Sequence, residues 1–396
     1  MLLSVSALAE ARANAMPSPC PNKQVCGSCG WSHIPYEKQI AQKLSDINGS
    51  FALKTLDLRC QHILPSPQTE HYRNRMDFVI DFEGRVGLRE KGKWWRVIDG
   101  HACFLGDPRI DQLFGQVRAW VKTSGLSFFD RKSHEGFLRY AVIRATTRGE
   151  TLVNLVTSAP LGDEESTLMT LPSVLGGSAH SGTQEPTVVW SINRTVTDVS
   201  FGSEVKTLSG NGWIEEQFGE TRYRISPNAF FQTNSAGAPL LLQTVREFCN
   251  ELSGKTLLDL YCGTGFFSVA LAPMAKRTIG VELNEEAIRD ARTNAQLNRV
   301  ETDFIAAPTE AYDWSVHAAD LVILDPPRSG MHDKALADIL RIKPKEIVYI
   351  SCNPKNFARE MVQLGQVYRV EAMRAIDLFP HTPHVELVTK LRLCSS

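Results

Sequence analysis

Three patterns of apolar and polar residues follow one another along the chain. Residues 1–19 are mostly small or polar and contain two prolines. Ile40 and Leu44 then stand four positions apart in a polar segment, which predicts a short amphipathic helix. From about residue 72 to residue 223, apolar and polar residues alternate between turn-forming pairs such as Glu83-Gly84, which indicates β-strands. The first predicted strands are residues 76–82, 85–89 and 94–98.

The C-terminal part of the chain has a different pattern. After Pro227, segments with helical spacing alternate with short apolar runs. This alternation predicts a parallel, doubly wound α/β sheet, in which ligands bind at the carboxyl ends of the strands. The predicted helices are residues 238–252 and 285–297, and the predicted strands are residues 256–260, 321–324 and 348–350.

These patterns divide the chain into four parts. Residues 1–30 form an N-terminal segment with clustered cysteines, and residues 31–71 form a helical region that packs on the catalytic domain. Residues 72–225 form a mostly β central domain, and residues 226–396 form the α/β catalytic domain. Inside the central domain, the stretch 161–186 is rich in Gly, Ser, Thr and Pro, which predicts a connection that contains one helix over residues 166–175.

Bulk composition places the chain among soluble globular proteins. Hydrophobic residues make up 43% and charged residues 22% of its 396 residues, which is ordinary for a fold of two or three domains. Apolar runs fall short of a membrane span and the start lacks a signal-peptide pattern, so we expect a cytoplasmic protein. Because the formal net charge is −1, any nucleic-acid-binding surface must be a local patch.

A strand followed by a glycine turn marks a candidate cofactor site. Gly263-x-Gly265 follows an apolar strand and opens a helix, so backbone can approach a ligand closely. Ser268 stands where a dinucleotide-binding fingerprint has its third glycine, and Asp259 precedes the turn, so a cationic cofactor without phosphates fits better. Glu282 ends the next strand, where a carboxylate can bind ribose hydroxyls; a helix-capping role is the alternative.

Three more polar residues follow predicted strands or lie among apolar residues. Asp325 begins the loop Asp325-Pro326-Pro327-Arg328, whose prolines make a stiff turn suited to holding a carboxylate. Cys352 follows the strand 348–350 between polar neighbours, which favours a reactive thiol over a buried, inert one. Glu386 lies among β-type apolar residues, so we interpret it as a general base in a cleft rather than an edge-strand residue that faces water.

Segments around these residues resemble one family of enzymes. Asp325-Pro326-Pro327-Arg328-Ser329-Gly330, Ser351-Cys352-Asn353-Pro354 and His381-Thr382-Pro383-His384-Val385-Glu386 are similar to the RNA uracil-C5 methyltransferases, as is the stretch 226–234. The resemblance covers about residue 20 to the end and implies a class I S-adenosylmethionine-dependent methyltransferase (Rossmann-like) domain. It implies Cys352 as nucleophile, Glu386 as base, and an S-adenosylmethionine site lined by Gln232, Tyr261, Glu282 and Asp325.

The family mechanism answers a chemical problem, because C5 of uracil is too weakly nucleophilic to attack a sulfonium methyl group unaided. Addition of the cysteine thiolate to C6 activates C5, and a base later removes the C5 hydrogen so that elimination restores the ring. The target base must be flipped out or single-stranded to enter such a pocket. A cytosine-C5 methyltransferase would also use a cysteine, but the Asp325 loop lacks the second cysteine of the RNA cytosine enzymes.

Four of the nine cysteines form a candidate metal site. Cys20-x5-Cys26-x2-Cys29 and the distant Cys103 supply four thiolates, which suit an iron–sulfur cluster or a zinc ion held by four cysteines. Spacing leaves both open. A subset of the family that this chain resembles carries a [4Fe–4S] cluster on this spacing, so the resemblance implies a cluster-bearing branch. We expect its N-terminal iron–sulfur loop to be structural.

Basic and aromatic residues are concentrated between residues 72 and 96. Arginine beside aromatic rings can grip phosphate and stack on unpaired bases, and a solvated strand face with two core tryptophans is the alternative. Many family members carry an N-terminal β-barrel for RNA binding, which we expect to be absent because 19 residues precede Cys20. The residues concerned are Arg73, Arg75, Arg85, Arg89, Lys91, Lys93, Trp94, Trp95 and Arg96.

The resemblance makes RNA the expected partner. It favours 23S ribosomal RNA as the substrate, with a transfer-RNA T-loop uridine as the alternative. A non-catalytic RNA-binding factor is a further hypothesis, but such a factor would need none of Cys352, Glu386, Asp325 and Glu282. No membrane or protein partner is implied, and we expect a monomer.

Overall fold

Two β-sheets organise the protein, as seen in a computed structural model that describes residues 20–101, 103–177 and 184–394. The first elements are helix α1 (Tyr36–Ala52) and strand β1 (Ile63–Leu64). The central domain then contains β2 (Arg75–Ile80), β3 (Val86–Glu90), β4 (Lys93–Asp99), α2 (Pro108–Thr123), β5 (Leu138–Ala145), β6 (Thr151–Thr157), α3 (Glu164–Leu168), α4 (Leu171–Gly176), β7 (Thr187–Ile192) and β8 (Glu204–Ser209).

A hairpin leads into the catalytic domain. It consists of β9 (Ile214–Phe218) and β10 (Thr221–Ile225). The catalytic domain follows with α5 (Ala238–Phe248), β11 (Thr256–Leu260), α6 (Phe266–Leu271), β12 (Arg277–Glu282), α7 (Glu285–Leu297), β13 (Asp303–Ala306), β14 (Leu321–Leu324), α8 (Asp333–Ile342), β15 (Glu346–Ser351), α9 (Pro354–Leu364), β16 (Tyr368–Ile376) and β17 (Glu386–Leu393). Short 3-10 turns cover Ala272–Met274 and Trp314–His317.

The central domain is a seven-stranded sheet in the order β4-β3-β2-β5-β6-β7-β8. Adjacent strands in this sheet are antiparallel, except that β6 and β7 are parallel. Because strand side chains alternate between faces, Phe78 points to one face and stacks on Phe114 of α2 with ring centroids 4.1 Å apart. Val79 points to the other face, where it packs in a separate small cluster with Tyr140 and Val142.

The helices of the central domain correct one prediction. The single helix expected over residues 166–175 is wrong, because the chain forms α3 and α4 with a break at Met169 and Thr170. Pro172 lies in the first turn of α4, the only part of a helix that tolerates a residue without a backbone N–H. Among the described residues, no helix combines the length and the apolar character needed to cross a bilayer.

The catalytic domain is an eight-stranded sheet in the order β1-β16-β17-β15-β14-β11-β12-β13. Strands β11 to β15 are parallel, which confirms the predicted doubly wound α/β sheet. β17 is inserted antiparallel between β15 and β16. The strand order reverses direction between β11 and β14, and ligands bind at such a point in open α/β sheets.

The two sheets are not independent units. Leu152 and Val189 of the central sheet belong to the same apolar cluster as Leu242 and Ile323 of the catalytic domain. At the other side of the catalytic sheet, β1 pairs with β16, and Phe51 of α1 contacts Phe357 with ring centroids 6.0 Å apart. The N-terminal helix and strand therefore pack on the catalytic domain rather than on the central sheet.

Candidate active site

A large cavity opens at the carboxyl edge of the catalytic sheet. Its volume of about 950 Å³ is at the upper end of the range for small-molecule sites, which runs from about 300 to 1,000 Å³. The structure brings together in its wall all six residues that the sequence assigned to cofactor and catalysis. They are Gln232, Tyr261, Glu282, Asp325, Cys352 and Glu386.

The glycine turn between β11 and α6 is held by a buried carboxylate. Gly265 has a φ of 81°, and a Cβ there would lie 3.1 Å from Val269, so only glycine is comfortable. Asp259 accepts a hydrogen bond from the Ser268 backbone N–H at 3.1 Å and another from its hydroxyl. Burial raises the pKa of Asp259 to about 7. Ser268 therefore acts as a donor that fixes the first turn of α6.

Glu282 lies where a ribose-binding carboxylate is expected. It accepts hydrogen bonds from the backbone N–H groups of Gly263, at 3.2 Å, and Asn284, at 2.8 Å. Capping of α7 is instead performed by the Asn284 side chain, which accepts from the N–H groups of Glu286 and Ala287. Glu282 therefore bridges the glycine turn and the following loop, with its carboxylate in the cavity wall.

The other cofactor candidates surround the same space. Burial, together with the nearby charge of Asp259, raises the pKa of Asp325 to about 7. Tyr261 follows β11 with a φ of 67°, and the backbone carbonyl of Gln232 accepts a hydrogen bond from Asn74 of the central domain at 2.8 Å. Because the glycine turn, Glu282 and Asp325 line one cavity, the site fits a ligand with a ribose and a cationic centre, as S-adenosylmethionine has.

The catalytic candidates lie at neighbouring ends of two paired strands. β15 ends at Ser351, which pairs with Leu387 of β17, so Cys352 and Glu386 are the residues that adjoin this last pair of the ladder. Cys352 is half-buried and Glu386 is 7% exposed. Since β17 lies between β15 and β16, the edge-strand alternative for Glu386 is wrong.

Burial and neighbouring carboxylates raise the pKa values of both Cys352 and Glu386. Burial, followed by the charges of Glu386 and Asp325, raises the pKa of Cys352 to about 11, and Arg328 opposes that rise. Burial and then Asp325 raise the pKa of Glu386 well above its usual range. Arg328 lines the same cavity as Cys352, and its guanidinium contacts His384 at 3.2 Å.

Methylation is expected to become faster as the pH rises from about 6 to about 9. Cys352 must be a thiolate to attack and Glu386 must be ionised to accept a proton, and both pKa values are raised, so acid removes both active forms. Single-turnover methyl transfer measured against pH checks this, and a rate that falls over this range would contradict it. In a Glu386→Gln variant the pH midpoint of thiol addition should move down, because the first charge that raises the Cys352 pKa is gone.

Comparison with known proteins decides the family. The profile of the tRNA (Uracil-5-)-methyltransferase family matches residues 213–312 and 310–392. A tRNA (uracil(54)-C(5))-methyltransferase of Pyrococcus horikoshii is 38% identical, over 92% of this chain and 83% of its own length. The chain belongs to the RNA uracil-C5 methyltransferases. An uncharacterized RNA methyltransferase of Caldanaerobacter subterraneus is also similar, at 37% identity over 94% of this chain and 84% of its own.

A solved structure agrees with the family and the fold. The tRNA (uracil-54, C5)-methyltransferase of Pyrococcus abyssi, in complex with S-adenosyl-L-homocysteine, matches with a TM-score of 0.75 and 34% identity. The match covers 92% of this chain and 85% of that one. These findings confirm the predicted class I fold and the activity: the enzyme is an S-adenosylmethionine-dependent RNA uracil-C5 methyltransferase.

The four cysteines of the candidate metal site are buried, and their thiols interact electrostatically. Burial, with added repulsion from Cys103, Cys20 and Cys26, raises the pKa of Cys29 to about 12. Burial also raises the pKa of Cys103 to about 11. Cys26, Cys29 and Cys103 belong to the apolar core of the central domain. In the described part of the chain, no group of three His, Cys, Asp or Glu side chains is arranged so that it could hold a metal ion.

The loop that leads into Glu386 is fastened by the N-terminal region. The Trp31 backbone N–H donates to the carbonyl of His381 at 3.0 Å, and the His381 N–H donates to the Gln39 side chain at 2.8 Å. The Tyr72 hydroxyl donates to the carbonyl of Pro380 at 3.0 Å. The ring of Phe104, next to Cys103, lies 5.3 Å from the His381 ring. The cysteine-bearing segments therefore contact the chain that delivers the candidate base.

A buried ion pair completes this attachment and was missed from the sequence. Lys43 of α1 lies 2.7 Å from Asp377, and neither side chain is exposed. Lys43 also donates to the carbonyl of Phe379 at 3.1 Å. The signal for burial of Lys43 is its position four residues before Ile47, which puts both on one helix face. The apolar spacing of Ile40 and Leu44 indicates a different face.

Lys43→Met is expected to lower the free energy of unfolding by about 3–5 kcal/mol, since it leaves the Asp377 carboxylate buried without its cation. Denaturant unfolding of the enzyme measures this. Lys38→Met is the matched control, because Lys38 is exposed on the same helix and should change the free energy by no more than about 0.5 kcal/mol. Equal stability of the two variants would contradict the role of the pair.

Proposed function

We propose that the enzyme methylates a transfer-RNA uridine of the T-loop at C5, through a covalent bond between Cys352 and C6 of the base. Three Pyrococcus relatives are named tRNA (uracil(54)-C(5))-methyltransferases, which supports the transfer-RNA alternative over the 23S ribosomal RNA expected from the sequence. The observation that supports the chemistry is that Cys352 and Glu386 line one cavity together with Gly263 of the glycine turn.

In this mechanism, Cys352 first adds to the ring. Cys352 loses its thiol proton to solvent and the thiolate Sγ bonds to C6, while the C5=C6 electrons move toward the O4 carbonyl as an enolate. Arg328 favours the thiolate, because it lowers the Cys352 pKa against the effect of burial. The enolate makes C5 nucleophilic. S-adenosylmethionine, when bound, supplies the methyl group as a sulfonium electrophile.

Glu386 then ends the reaction. Once C5 carries the methyl group and a hydrogen, the Glu386 carboxylate takes that hydrogen as a proton. The C5–H electrons re-form the double bond, the Sγ–C6 bond breaks and the thiolate leaves. Burial raises the Glu386 pKa, so the ionised carboxylate is a stronger base than one in water. Asp325, which faces the same space, is placed to orient the base edge.

The substrate is tested by presenting two RNAs to one enzyme preparation. An unmodified transfer-RNA transcript and fragments of 23S ribosomal RNA are incubated with S-adenosylmethionine, then digested and mapped by mass spectrometry. We expect one 5-methyluridine in the T-loop and none in the ribosomal fragments. A transcript with cytidine at that T-loop position is the control. Methylation of a ribosomal fragment alone would reject the transfer-RNA substrate and leave the chemistry standing.

We also propose that Cys20, Cys26, Cys29 and Cys103 hold a [4Fe–4S] cluster with a structural role. The fit is supported by four buried thiols that repel one another when ionised, a repulsion that bound iron would remove. The spacing of these cysteines along the chain leaves a single zinc ion as the alternative. Anaerobically purified enzyme should contain iron and sulfide and absorb in the visible. Cys103→Ser should lose both and melt earlier, whereas Cys60→Ser should keep them; stoichiometric zinc without sulfide would reject the cluster.

A further inference from the structure

A second cavity lies in the central domain and shares no lining residue with the active-site cavity. Its volume is about 210 Å³, which is below the range for a whole cofactor and suits one ring system. The floor belongs to the sheet face opposite α2, where Val79, Val97 and Tyr140 pack together. The cavity is therefore a separate feature built on the second face of the central sheet.

Two exposed tryptophans stand at the rim of this cavity. Trp94 and Trp95 of the edge strand β4 are 53% and 48% exposed, with ring centroids 5.5 Å apart and planes nearly perpendicular. The alternative that they are core tryptophans is wrong. Because rings of this size contribute to folding chiefly by burying their faces, two of them left in water together are typical of a surface that a ligand covers.

Positive charge lines the cavity beside the rings. The Arg131 guanidinium lies 4.2 Å from the centroid of the Trp94 ring, and that of Arg139 lies 4.0 Å from the centroid of the Phe129 ring. Arg139 is 2% exposed, donates to backbone carbonyls, and keeps a buried Nε without a hydrogen-bond partner. Lys132 is exposed at the wall and has no ion pair among those of the described residues. A polarisable, electron-rich ring system is the complementary ligand.

The acids and most arginines near this cavity already satisfy one another. Asp198 accepts from Arg89 and from the Tyr140 hydroxyl, and it pairs with Arg131 at 2.6 Å. Arg75 and Arg85, from the basic region between residues 72 and 96, are likewise paired with aspartates. The arginines between residues 72 and 96 are therefore less available for phosphates than the sequence suggested. The exposed rings of Trp94 and Trp95 remain accessible to a ligand.

One loop contacts the walls of both cavities. Asn228 in the wall of the active-site cavity donates to the carbonyl of Gly202 at 2.8 Å, and the loop that contains Gly202 also carries Asp198 into the central cavity. Phe230, in the active-site cavity, and Phe201, on this loop, are both exposed. Phe201 and Trp94 line one surface depression beside the central cavity.

We propose that the central cavity binds a second unpaired nucleobase of the RNA substrate, stacked on Trp94 and Trp95, while the target uridine occupies the active site. This site would take a base by its ring face, without a sequence requirement, and would hold the RNA strand along the aromatic surface. The inference rests on the methylation of RNA and deepens it by naming a second point of recognition.

The test measures RNA binding by a Trp94→Ala/Trp95→Ala variant. Fluorescence anisotropy is recorded with labelled hexaadenylate, which contains no uracil, and with the unmodified transfer-RNA transcript. We expect affinity for both to fall about 10- to 100-fold, as for the loss of stacking on one or two bases. S-adenosylhomocysteine affinity should stay unchanged, and the methylation KM for RNA should rise while kcat at saturating RNA is retained. Hexaadenylate should also quench the tryptophan emission of the unaltered enzyme.

Trp213→Ala is the matched control, because Trp213 also lies against a guanidinium, Arg224 at 4.9 Å, but lines neither cavity. Its RNA affinity should be unchanged. Unaltered affinity in the double variant, an equal loss in the control, or no quenching in the unaltered enzyme would each overturn the proposal. If the transcript binds through the tryptophans but is not methylated, the substrate assignment fails and the cavity assignment stands.

Discussion

Replacing Cys352 by alanine is expected to abolish methylation and to abolish the covalent bond to RNA. Without Sγ no addition to C6 occurs, so C5 is not activated, and the rate should fall by ~10⁴-fold or more, the order seen when an enzyme loses its nucleophile. RNA that contains 5-fluorouridine at the target makes the step visible. Fluorine on C5 cannot leave as a proton, so the active enzyme should form a species that survives denaturing electrophoresis and the variant should form none.

Cys394→Ala is the matched control for this experiment, because Cys394 is an exposed free cysteine outside the cavity. It should form the adduct like the unaltered enzyme. Binding of S-adenosylhomocysteine by Cys352→Ala shows that the variant is folded. An adduct that persists in Cys352→Ala would show that another residue attacks the ring.

Replacing Glu386 by glutamine is expected to leave the enzyme attached to ordinary uridine-containing RNA. The amide cannot take the C5 proton, so the adduct forms, receives its methyl group and then cannot eliminate. Turnover should fall by about 10²- to 10⁴-fold, while the first methyl transfer survives. Because Glu386 is the first charge that raises the Cys352 pKa, thiol addition itself should not be slowed by the change.

The trapped species is measured by denaturing electrophoresis with a labelled methyl group, which should migrate with protein and RNA together. Glu301→Gln, at an exposed position outside the cavity, should turn over normally and trap nothing. Loss of both turnover and adduct in Glu386→Gln would contradict the role of Glu386 as proton acceptor and would show that Glu386 is needed for the addition of Cys352 to C6.

Residues whose signal is local could be predicted from the sequence. Cys352 directly follows an apolar strand, and Glu282 ends the strand after the glycine turn, so each position at the sheet edge could be read from its neighbours. The parallel sheet then brings these strand ends together without further information. The helix expected over residues 166–175 is wrong for an equally local reason, because Pro172 lies in the first turn of a separate helix, α4.

Residues that depend on distant partners could not be predicted. Lys43 and Asp377 are 334 positions apart, and Gln39 and His381 are 342 apart. Nothing near Lys43 in the sequence shows that a carboxylate will meet it in the core. The same applies to Arg89, whose positive charge is visible in the sequence while its carboxylate partner, Asp198, lies far along the chain.

The apolar cluster that Leu152 and Val189 share with Leu242 and Ile323 has a consequence for protein engineering. A fragment cut at residue 226 would keep every cavity-lining side chain assigned to methyl transfer, yet would expose the surface that the central sheet normally covers. Such a fragment should self-associate through that uncovered patch. Fusing the catalytic domain to another RNA-binding domain therefore requires a new packing partner that buries this apolar surface. A flexible linker alone would leave the surface exposed.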